Sequence, residues 1–122
     1  MLGEFDQDYT GNWVNDKKHG YGVLKNRGQD FYKGNWVEDY YGGHGIQYLG
    51  NTLDYYKGQF YEHLKHGSGE FYFSEYNIRL QCEMDNDYME GHCKKFNAGG
   101  MVHLDGMYRL DKLIDILLTP EQ

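Results

Sequence analysis

Aromatic and glycine residues alternate with polar residues in the segment "YTGNWVNDKKHGYG", which begins at Tyr9. Tyr9, Gly11 and Trp13 occupy every second position, and a polar turn "NDKK" follows them. A second alternating run then passes through Gly20 and Gly22. Period-two alternation on both sides of a polar turn predicts a β-hairpin, and internal glycine at this density disfavours a helix.

The same segment recurs along the chain. "YKGNWVEDYYGGHG" begins at Tyr32, and "YKGQFYEHLKHGSG" begins at Tyr56. In steps of 23, 24, 24 and 24 residues, the first glycine position falls at Gly11, Gly34, Gly58, Cys82 and Gly106. A short, regular period is typical of repeat architectures, in which each unit buries its apolar surface against its neighbours. We therefore predict one domain over 1–122, with units at about 9–31, 32–55, 56–79 and 80–103 and a partial unit at 104–110.

Two further glycine positions recur in each unit. They lie nine and eleven residues after the first, at Gly20, Gly43, Gly67 and Gly91, and at Gly22, Gly45, Gly69 and Cys93. An aromatic ring can lie flat across a facing strand only where the cross-strand residue has no side chain. The predicted cross-strand pairs, all on one face, are therefore Gly11 with Gly22, Tyr9 with Leu24, Trp13 with Gly20, Trp36 with Gly43, Phe60 with Gly67, and Cys82 with Cys93.

The repeated pattern, Tyr-x-Gly-x-aromatic followed by Gly-x-Gly, resembles the MORN (membrane occupation and recognition nexus) repeat over about residues 9–108. The fourth unit departs from the pattern, with Leu80, Cys82, Met84 and Cys93 in place of tyrosine, glycine, an aromatic residue and glycine. The resemblance implies an all-β fold, an elongated single-layer array of antiparallel hairpins. It also implies an assembly or targeting module, since family members lie in cilia and flagella, lie at membrane junctions, or are fused to enzymes. Choline-binding repeats are similar in composition, but the Gly-x-Gly anchor, the longer period and the absence of a secretion signal argue against them.

Composition and charge narrow the function further. The chain has 122 residues, 17 of them glycine and 13 tyrosine, so aromatic rings must supply its core. A net charge of −7 repels phosphate backbones and anionic headgroups, which makes nucleic acid an unfavourable partner. No run reaches the roughly 20 apolar residues of a membrane span, and the N-terminus "MLGEFDQD" lacks the apolar stretch of a signal peptide. We expect a cytoplasmic protein whose two cysteines are reduced.

The titratable residues do not form a recognisable catalytic or metal site. His19 and His66 occupy equivalent places, but equivalent residues two hairpins apart lie roughly 20 Å from each other, too far to share a metal. Carboxylates fall mainly in turns, and no phosphate-binding glycine loop or nucleophile elbow is present. We predict that the chain is not an enzyme and needs no cofactor or metal.

The aromatic column is the predicted binding site for a partner protein. Contiguous exposed aromatic residues on one face of a single sheet often mark a binding surface. The alternative, that the rings pack on glycines and neighbouring hairpins as a thin core, is compatible with this. The column consists of Tyr9, Trp13, Tyr32, Trp36, Tyr56 and Phe60.

We predict a non-catalytic scaffold module, a subunit of a larger cytoskeletal or ciliary assembly, that binds a helix or an extended segment and can self-associate. A second interpretation is lipid association through a local basic patch of Lys17, Lys18, Lys25 and Arg27, which the net acidity disfavours. A third is that the chain is a regulatory segment of a longer enzyme, although it begins with Met1.

The C-terminal segment "YRLDKLIDILLTPEQ" has a different period. Leu110, Leu113, Ile114 and Leu117 recur at helical spacing, with Asp111 as an N-cap and Pro120 as a stop signal. The spacing predicts a short capping helix over about 111–118 that covers the last edge of the array.

Overall fold

The structure, a computed structural model, describes residues 7–49, 53–97 and 99–100, and the backbone alone of 102–109 and 112–118. The strands are β1 (Gln7–Val14), β2 (Lys17–Asn26), β3 (Gln29–Val37), β4 (Tyr40–Tyr48), β5 (Tyr55–Tyr61), β6 (Leu64–Phe73), β7 (Ile78–Asp85), β8 (Tyr88–Phe96), β9 (Val102–Arg109) and β10 (Lys112–Leu118). They form a single sheet in chain order. The prediction of an all-β array of antiparallel hairpins is confirmed for the eight strands β1–β8. We number the hairpins 1 to 4, from β1/β2 to β7/β8.

Each of these hairpins closes through a two-residue turn. The turn residues are Asn15 and Asp16, Glu38 and Asp39, Glu62 and His63, and Asn86 and Asp87, and all eight have φ between 48° and 76°. Two successive residues with positive φ give a turn whose twist matches that of the flanking strands. The turns therefore hold all four hairpins to the same geometry.

The predicted pairing is confirmed at the centre of each hairpin and wrong near its turn. Gly11 pairs with Gly22 and Tyr9 with Leu24, as predicted. Trp13, however, pairs with Lys18, because the register shifts between Gly11 and Trp13. The same shift places Trp36 opposite Tyr41 and Phe60 opposite Lys65, rather than opposite Gly43 and Gly67.

The physical reason for this shift is a bulge in the second strand of each hairpin. The glycine at the bulge is Gly20, Gly43, Gly67 or Gly91, with φ of 87°, 78°, 89° and 89°. Side chains disfavour this left-handed conformation, so glycine is needed here for its backbone. The alternating pattern of the sequence does not reveal a change of φ.

The same glycines do face large side chains, but those of the following hairpin. Trp36 lies opposite Gly20, Phe60 opposite Gly43 and Met84 opposite Gly67. The argument that a ring needs a glycine opposite it therefore holds, but that glycine belongs to the previous hairpin and not to the ring's own hairpin. These contacts pack each hairpin onto the previous one.

Tyrosine rings cover the central glycine pairs. A Cβ on Gly45 would overlap the ring of Tyr32, and a Cβ on Gly69 would overlap that of Tyr56. Each tyrosine hydroxyl also donates to a backbone oxygen three residues on, at 2.8 Å from Tyr32 to Asn35 and 3.2 Å from Tyr56 to Gln59. The first and third glycine positions thus make room for the rings that form the core.

Hairpin 4 replaces the glycine pair with a disulfide. Cys82 and Cys93 lie directly opposite each other, as predicted, with Cα atoms 4.2 Å apart. The structure joins them in a disulfide, which corrects the expectation of reduced thiols. Their direct opposition on one face of a hairpin brings the two sulfur atoms within bonding reach.

The C-terminal segment differs from the predicted helix. The backbone of Lys112–Leu118 is extended and pairs with β9. A short isolated helix is only marginally stable in water, whereas pairing with β9 gives the backbone of this segment hydrogen-bond partners. The stretch "LIDILL" also carries β-branched residues that suit a strand. The side chains here, together with residues 110, 111 and 119–122, lie outside the described residues, so the capping role stays a prediction.

Candidate functional site

Most of the predicted aromatic column lies inside the array. Tyr32 and Tyr56 expose 0% of their surface, Trp36 exposes 3% and Phe60 exposes 4%. Tyr9 is partly buried, and Trp13 is 55% exposed. A ring with almost no accessible surface offers a partner nothing to contact. The four buried residues of the column therefore belong to the core; they are Tyr32, Trp36, Tyr56 and Phe60. The column offers accessible aromatic surface at its N-terminal end.

Ring contacts account for this burial. Tyr32 stacks on Tyr41 with ring centroids 3.8 Å apart and meets Trp36 and Phe60 edge-on at 5.2 and 5.3 Å. The Trp36 indole Nε1 donates to the Gly22 carbonyl oxygen at 3.2 Å. Burial raises the pKa of Tyr41 to about 12, which keeps its hydroxyl neutral. The second interpretation of the aromatic column, in which the rings pack together as a thin core, therefore describes this face of hairpins 2 and 3.

A groove with a volume of about 830 Å³ crosses the other face of the sheet. Backbone of the central glycine row forms its floor, and the side chains that alternate with the core residues form its walls. The floor residues are Gly34, Gly45, Gly58, Gly69 and Cys82. The wall residues are Tyr21, Lys33, Asn35, His44, Ile46, Lys57, Ser68, Glu70, Gln81, Glu83, His92 and Lys94.

The groove walls carry both signs of charge and several hydrogen-bonding groups. Along the strand order, Lys33 on β3 and Lys57 on β5 are followed by Glu70 on β6, Glu83 on β7 and Lys94 on β8, and Lys57 lies directly opposite Glu70. The Ser68 hydroxyl donates to Glu83 Oε2 at 3.1 Å, and Gln81 Nε2 donates to Glu70 Oε1 at 3.2 Å. These contacts hold part of the acidic wall in place. The groove can therefore recognise hydrogen-bonding and charged groups along its length.

Sequence reasoning missed this groove because it followed the rings. The signal was present in the same alternation, since the residues between the ring and glycine positions must line the opposite face. Positions on either side of the central glycines are mostly polar in the second and third units, as in "KGN", "HGI", "KGQ" and "SGE".

The turns add a third recurring feature, which we call the turn clasp. The second turn residue reaches back to the previous hairpin and pairs with it through both backbone and side chain. Asp39 N–H donates to the Lys18 carbonyl at 2.9 Å, and Asp39 Oδ1 accepts from Lys18 N–H at 2.8 Å. Asp87 makes the same two bonds with Lys65, at 2.9 and 2.8 Å.

His63 makes the clasp of hairpin 3 with a neutral ring nitrogen. The backbone N–H of His63 donates to the Tyr41 carbonyl, and the ring Nδ1 of His63 accepts from the backbone N–H of Tyr41, both at 3.2 Å. Partial burial, assisted by the Lys18 charge, lowers the pKa of His63 below its ordinary value. The lowered pKa keeps Nδ1 available as an acceptor.

The histidines considered for metal binding have structural contacts. His19 Nδ1 accepts from Glu38 N–H at 3.3 Å, and His66 Nδ1 lies 3.5 Å from Asp85 Oδ1. Among the residues that the structure describes, no three His, Cys, Asp or Glu side chains converge as metal ligands.

The basic patch considered for lipid binding is partly neutralised. Lys18 Nζ lies 3.9 Å from Asp39 and 5.5 Å from the Trp13 ring centroid, and Lys25 Nζ lies 4.0 Å from Asp30. In the described part of the chain, no helix is long and apolar enough to cross a membrane.

Comparison with known proteins identifies the repeat. The family model of the MORN repeat matches residues 9–28, 32–51 and 56–78, which cover most of hairpins 1 to 3. A search of curated proteins finds no match.

Proposed function

Since this chain belongs to the MORN repeat proteins, a family of non-enzymatic modules that in general mediate protein or lipid interactions, we propose that it is a protein-binding scaffold. The observation that carries the proposal is the groove opposite the ring core. It would receive a segment of a partner protein. The chain itself has no catalytic role in this proposal.

The dimensions of the groove suit a polypeptide segment better than a small molecule. Its lining runs from Tyr21 on β2 to Lys94 on β8, which crosses seven strands. Six spacings of about 4.8 Å give a length of roughly 29 Å. That length matches about nine residues of an extended chain or about five turns of helix. The segment would lie across the strands, along the axis of the repeats.

The chemistry of the walls restricts the partner segment. Basic groups suited to Glu70 and Glu83 would lie between acidic groups suited to Lys33 on one side and to Lys94 on the other. The net charge of −7 further favours a partner with basic flanks. The exposed Trp13 at the start of the ring column could add an anchor outside the groove.

The proposal extends to location. Resemblance to family members of cilia and flagella supports a subunit of a cytoskeletal or axonemal assembly in the cytoplasm. Imaging of the tagged chain with an axonemal marker tests this part. A uniform cytosolic signal would argue against it.

A pair of charge reversals tests the groove. Lys57→Glu changes an exposed groove residue, and Lys17→Glu makes the same charge change at an exposed strand residue outside it. Partners captured by the parent chain and identified by mass spectrometry should be lost, or weakened about tenfold, with Lys57→Glu. The Lys17→Glu chain should retain them. Both variants must first melt cooperatively, since Lys57 also lies opposite Glu70.

The lipid interpretation is separated by a second measurement. Sedimentation with anionic liposomes at low and high salt should leave the parent chain in the supernatant. Salt-sensitive binding that Lys17→Glu abolishes would replace the groove with the basic patch as the functional surface. Equal loss of protein partners in both variants would also contradict the groove.

A further inference from the structure

The groove opposite the ring core is narrow. Its two walls stand two residues apart on the same strands, as Lys33 and Asn35 do on β3 and Gln81 and Glu83 do on β7. Two residues of strand span about 6.8 Å, and the floor between the walls is backbone. An α-helix is about 10–12 Å wide with its side chains and is too broad to reach that floor. A single extended chain can lie between the walls.

The walls repeat with the hairpins. Lys33 and Lys57 hold the same position in hairpins 2 and 3, two strands apart on one wall. Two strand spacings of about 4.8 Å place equivalent wall positions about 9.6 Å from each other. A partner segment that meets each hairpin in the same way must therefore repeat at this distance.

Two extended conformations can be compared with that distance. Three residues of β-strand advance about 10 Å, but side chains alternate, so positions i and i+3 face opposite ways. Three residues of polyproline II helix advance about 9.3 Å and complete one turn, so positions i and i+3 face the same way. Polyproline II therefore presents the same face to successive hairpins, with a mismatch of about 0.3 Å per hairpin.

The floor of the groove favours a segment that lacks backbone N–H groups. Strands β3 to β7 each have a neighbour on both sides, so the hydrogen-bond ladders of the sheet use the backbone groups of the floor. A peptide N–H laid on this floor would lose water without gaining an acceptor, whereas proline has no N–H. Tyr21, which is 54% exposed in the wall, adds an aromatic contact of the kind that receives proline rings.

We infer, on the basis of the proposed protein-binding function, that the groove receives a proline-rich segment in the polyproline II conformation, with one turn on each hairpin. The wall charges place carboxylates at positions i and i+3 of that segment, one at Lys33 and one at Lys57. Lys33 also pairs with Asp30 at 3.6 Å, but an ion pair with both side chains 36% exposed is weak and leaves Lys33 able to bind a second carboxylate. Basic flanks of the segment suit the net charge of −7.

Synthetic peptides test the inference on the full chain. The probe has nine residues, with lysine at both ends, glutamate at its third and sixth positions and proline elsewhere, and fluorescence anisotropy should show that it binds saturably. A second peptide of the same composition has glutamate at its third and fifth positions, which face different ways, and should bind about tenfold more weakly. A third peptide, with alanine in place of proline, should also bind about tenfold more weakly, because binding has to order a flexible chain.

Charge exchange tests the position of the segment. Lys57→Glu should weaken binding of the probe about tenfold, and a probe with one glutamate changed to lysine should recover the loss. Lys17→Glu, outside the groove, should bind the probe like the parent chain. Absence of probe binding, equal binding of the three peptides, or probe binding that Lys57→Glu leaves unchanged would overturn the polyproline II inference, whereas loss of captured partners in Lys57→Glu would still support the groove itself. Retention of those partners by Lys57→Glu would instead contradict the proposed function.

Discussion

Hairpins 3 and 4 share a backbone and differ in the side chains that pack on it. Both have two turn residues with positive φ, a bulge glycine with φ 89°, and a clasp to the previous hairpin. Hairpin 3 has Gly58 and Gly69 at its centre, under the ring of Tyr56. Hairpin 4 has a disulfide there instead. The turn and the bulge, which both hairpins retain, therefore set the register, while the centre accepts more than one packing solution.

The replacements in hairpin 4 depend on each other. A Cβ at Gly69 would overlap the Tyr56 ring, so cysteine is incompatible with tyrosine in that arrangement. Hairpin 4 has Leu80 at the tyrosine position, and its shorter side chain leaves room for Cys82 and Cys93, which are both buried. Leucine and the cysteine pair together replace tyrosine and the glycine pair. Hairpin 4 is a coherent variant of the repeat rather than a degraded one.

The largest expected effect comes from mixing the two solutions. Gly69→Cys introduces a Cβ beneath Tyr56 and should lower the free energy of unfolding by about 3 kcal/mol or more, because the ring must move and lose its hydroxyl contact with Gln59. Urea unfolding followed by circular dichroism measures this loss. Adding Tyr56→Leu, as in hairpin 4, should recover at least 1 kcal/mol through coupling of the two sites. Strictly additive losses would contradict the mutual dependence.

Removal of the disulfide should have the next largest effect. The bond closes a loop between residues separated by 11 positions. Its loss raises the conformational entropy of the unfolded chain and should therefore lower the free energy of unfolding by about 2–3 kcal/mol. Reducing agent should shift the urea midpoint of the parent chain downward and leave Cys82→Ala/Cys93→Ala unchanged. Equal midpoints with and without reductant in the parent would show that hairpin 4 does not use the bond for stability.

Bulge glycines should show a smaller effect, which is best isolated at Gly91, because a Cβ on Gly67 would also overlap the Gln59 side chain. Gly91 has φ 89° and open space around an added Cβ, whose nearest neighbour would be Glu83 at 4.0 Å. Gly91→Ala therefore isolates backbone strain, which we expect to cost about 1–2 kcal/mol. Tyr76→Ala, an exposed change in the β6–β7 connection, is the control. Unfolding free energies that agree within about 0.5 kcal/mol would contradict a backbone requirement for glycine.

The sequence predicted what periodic spacing determines and missed what depends on backbone conformation. Repeat phase, strand type and the opposition of Gly11 with Gly22 or Cys82 with Cys93 all follow from counting residues. The bulge at Gly20 cannot be found by counting, because a residue with a left-handed backbone occupies one sequence position like any other and still changes which residues pair. Once the bulge is known, the ring of each hairpin moves to the glycine of the previous one.

The candidate site shows the same division. Tyr32 and Trp36 were correctly placed on one face, but their burial depends on contacts between hairpins that no single unit displays. The groove was implied by the alternation and overlooked because its walls are polar. The C-terminal segment was ambiguous, since leucine and isoleucine spaced for a helix also suit strand β10 when β9 offers a free edge.

The smallest expected effect distinguishes the clasp of hairpin 3 from that of hairpin 4. His63 makes its clasp as a neutral group, and its pKa in the folded chain lies below the ordinary value of 6.5. The folded state then binds fewer protons than the unfolded state between these two pKa values, so stability should be complete above pH 6.5 and decline as pH falls through the folded pKa. Melting temperatures measured from pH 7.5 to pH 5 should show this decline in the parent. His63→Asp, which copies the residue of Asp87, should flatten that part of the profile, whereas His66→Asn, on the neighbouring strand, should preserve it. A parallel decline in all three chains would assign the pH dependence to other groups and leave His63 as a turn residue alone.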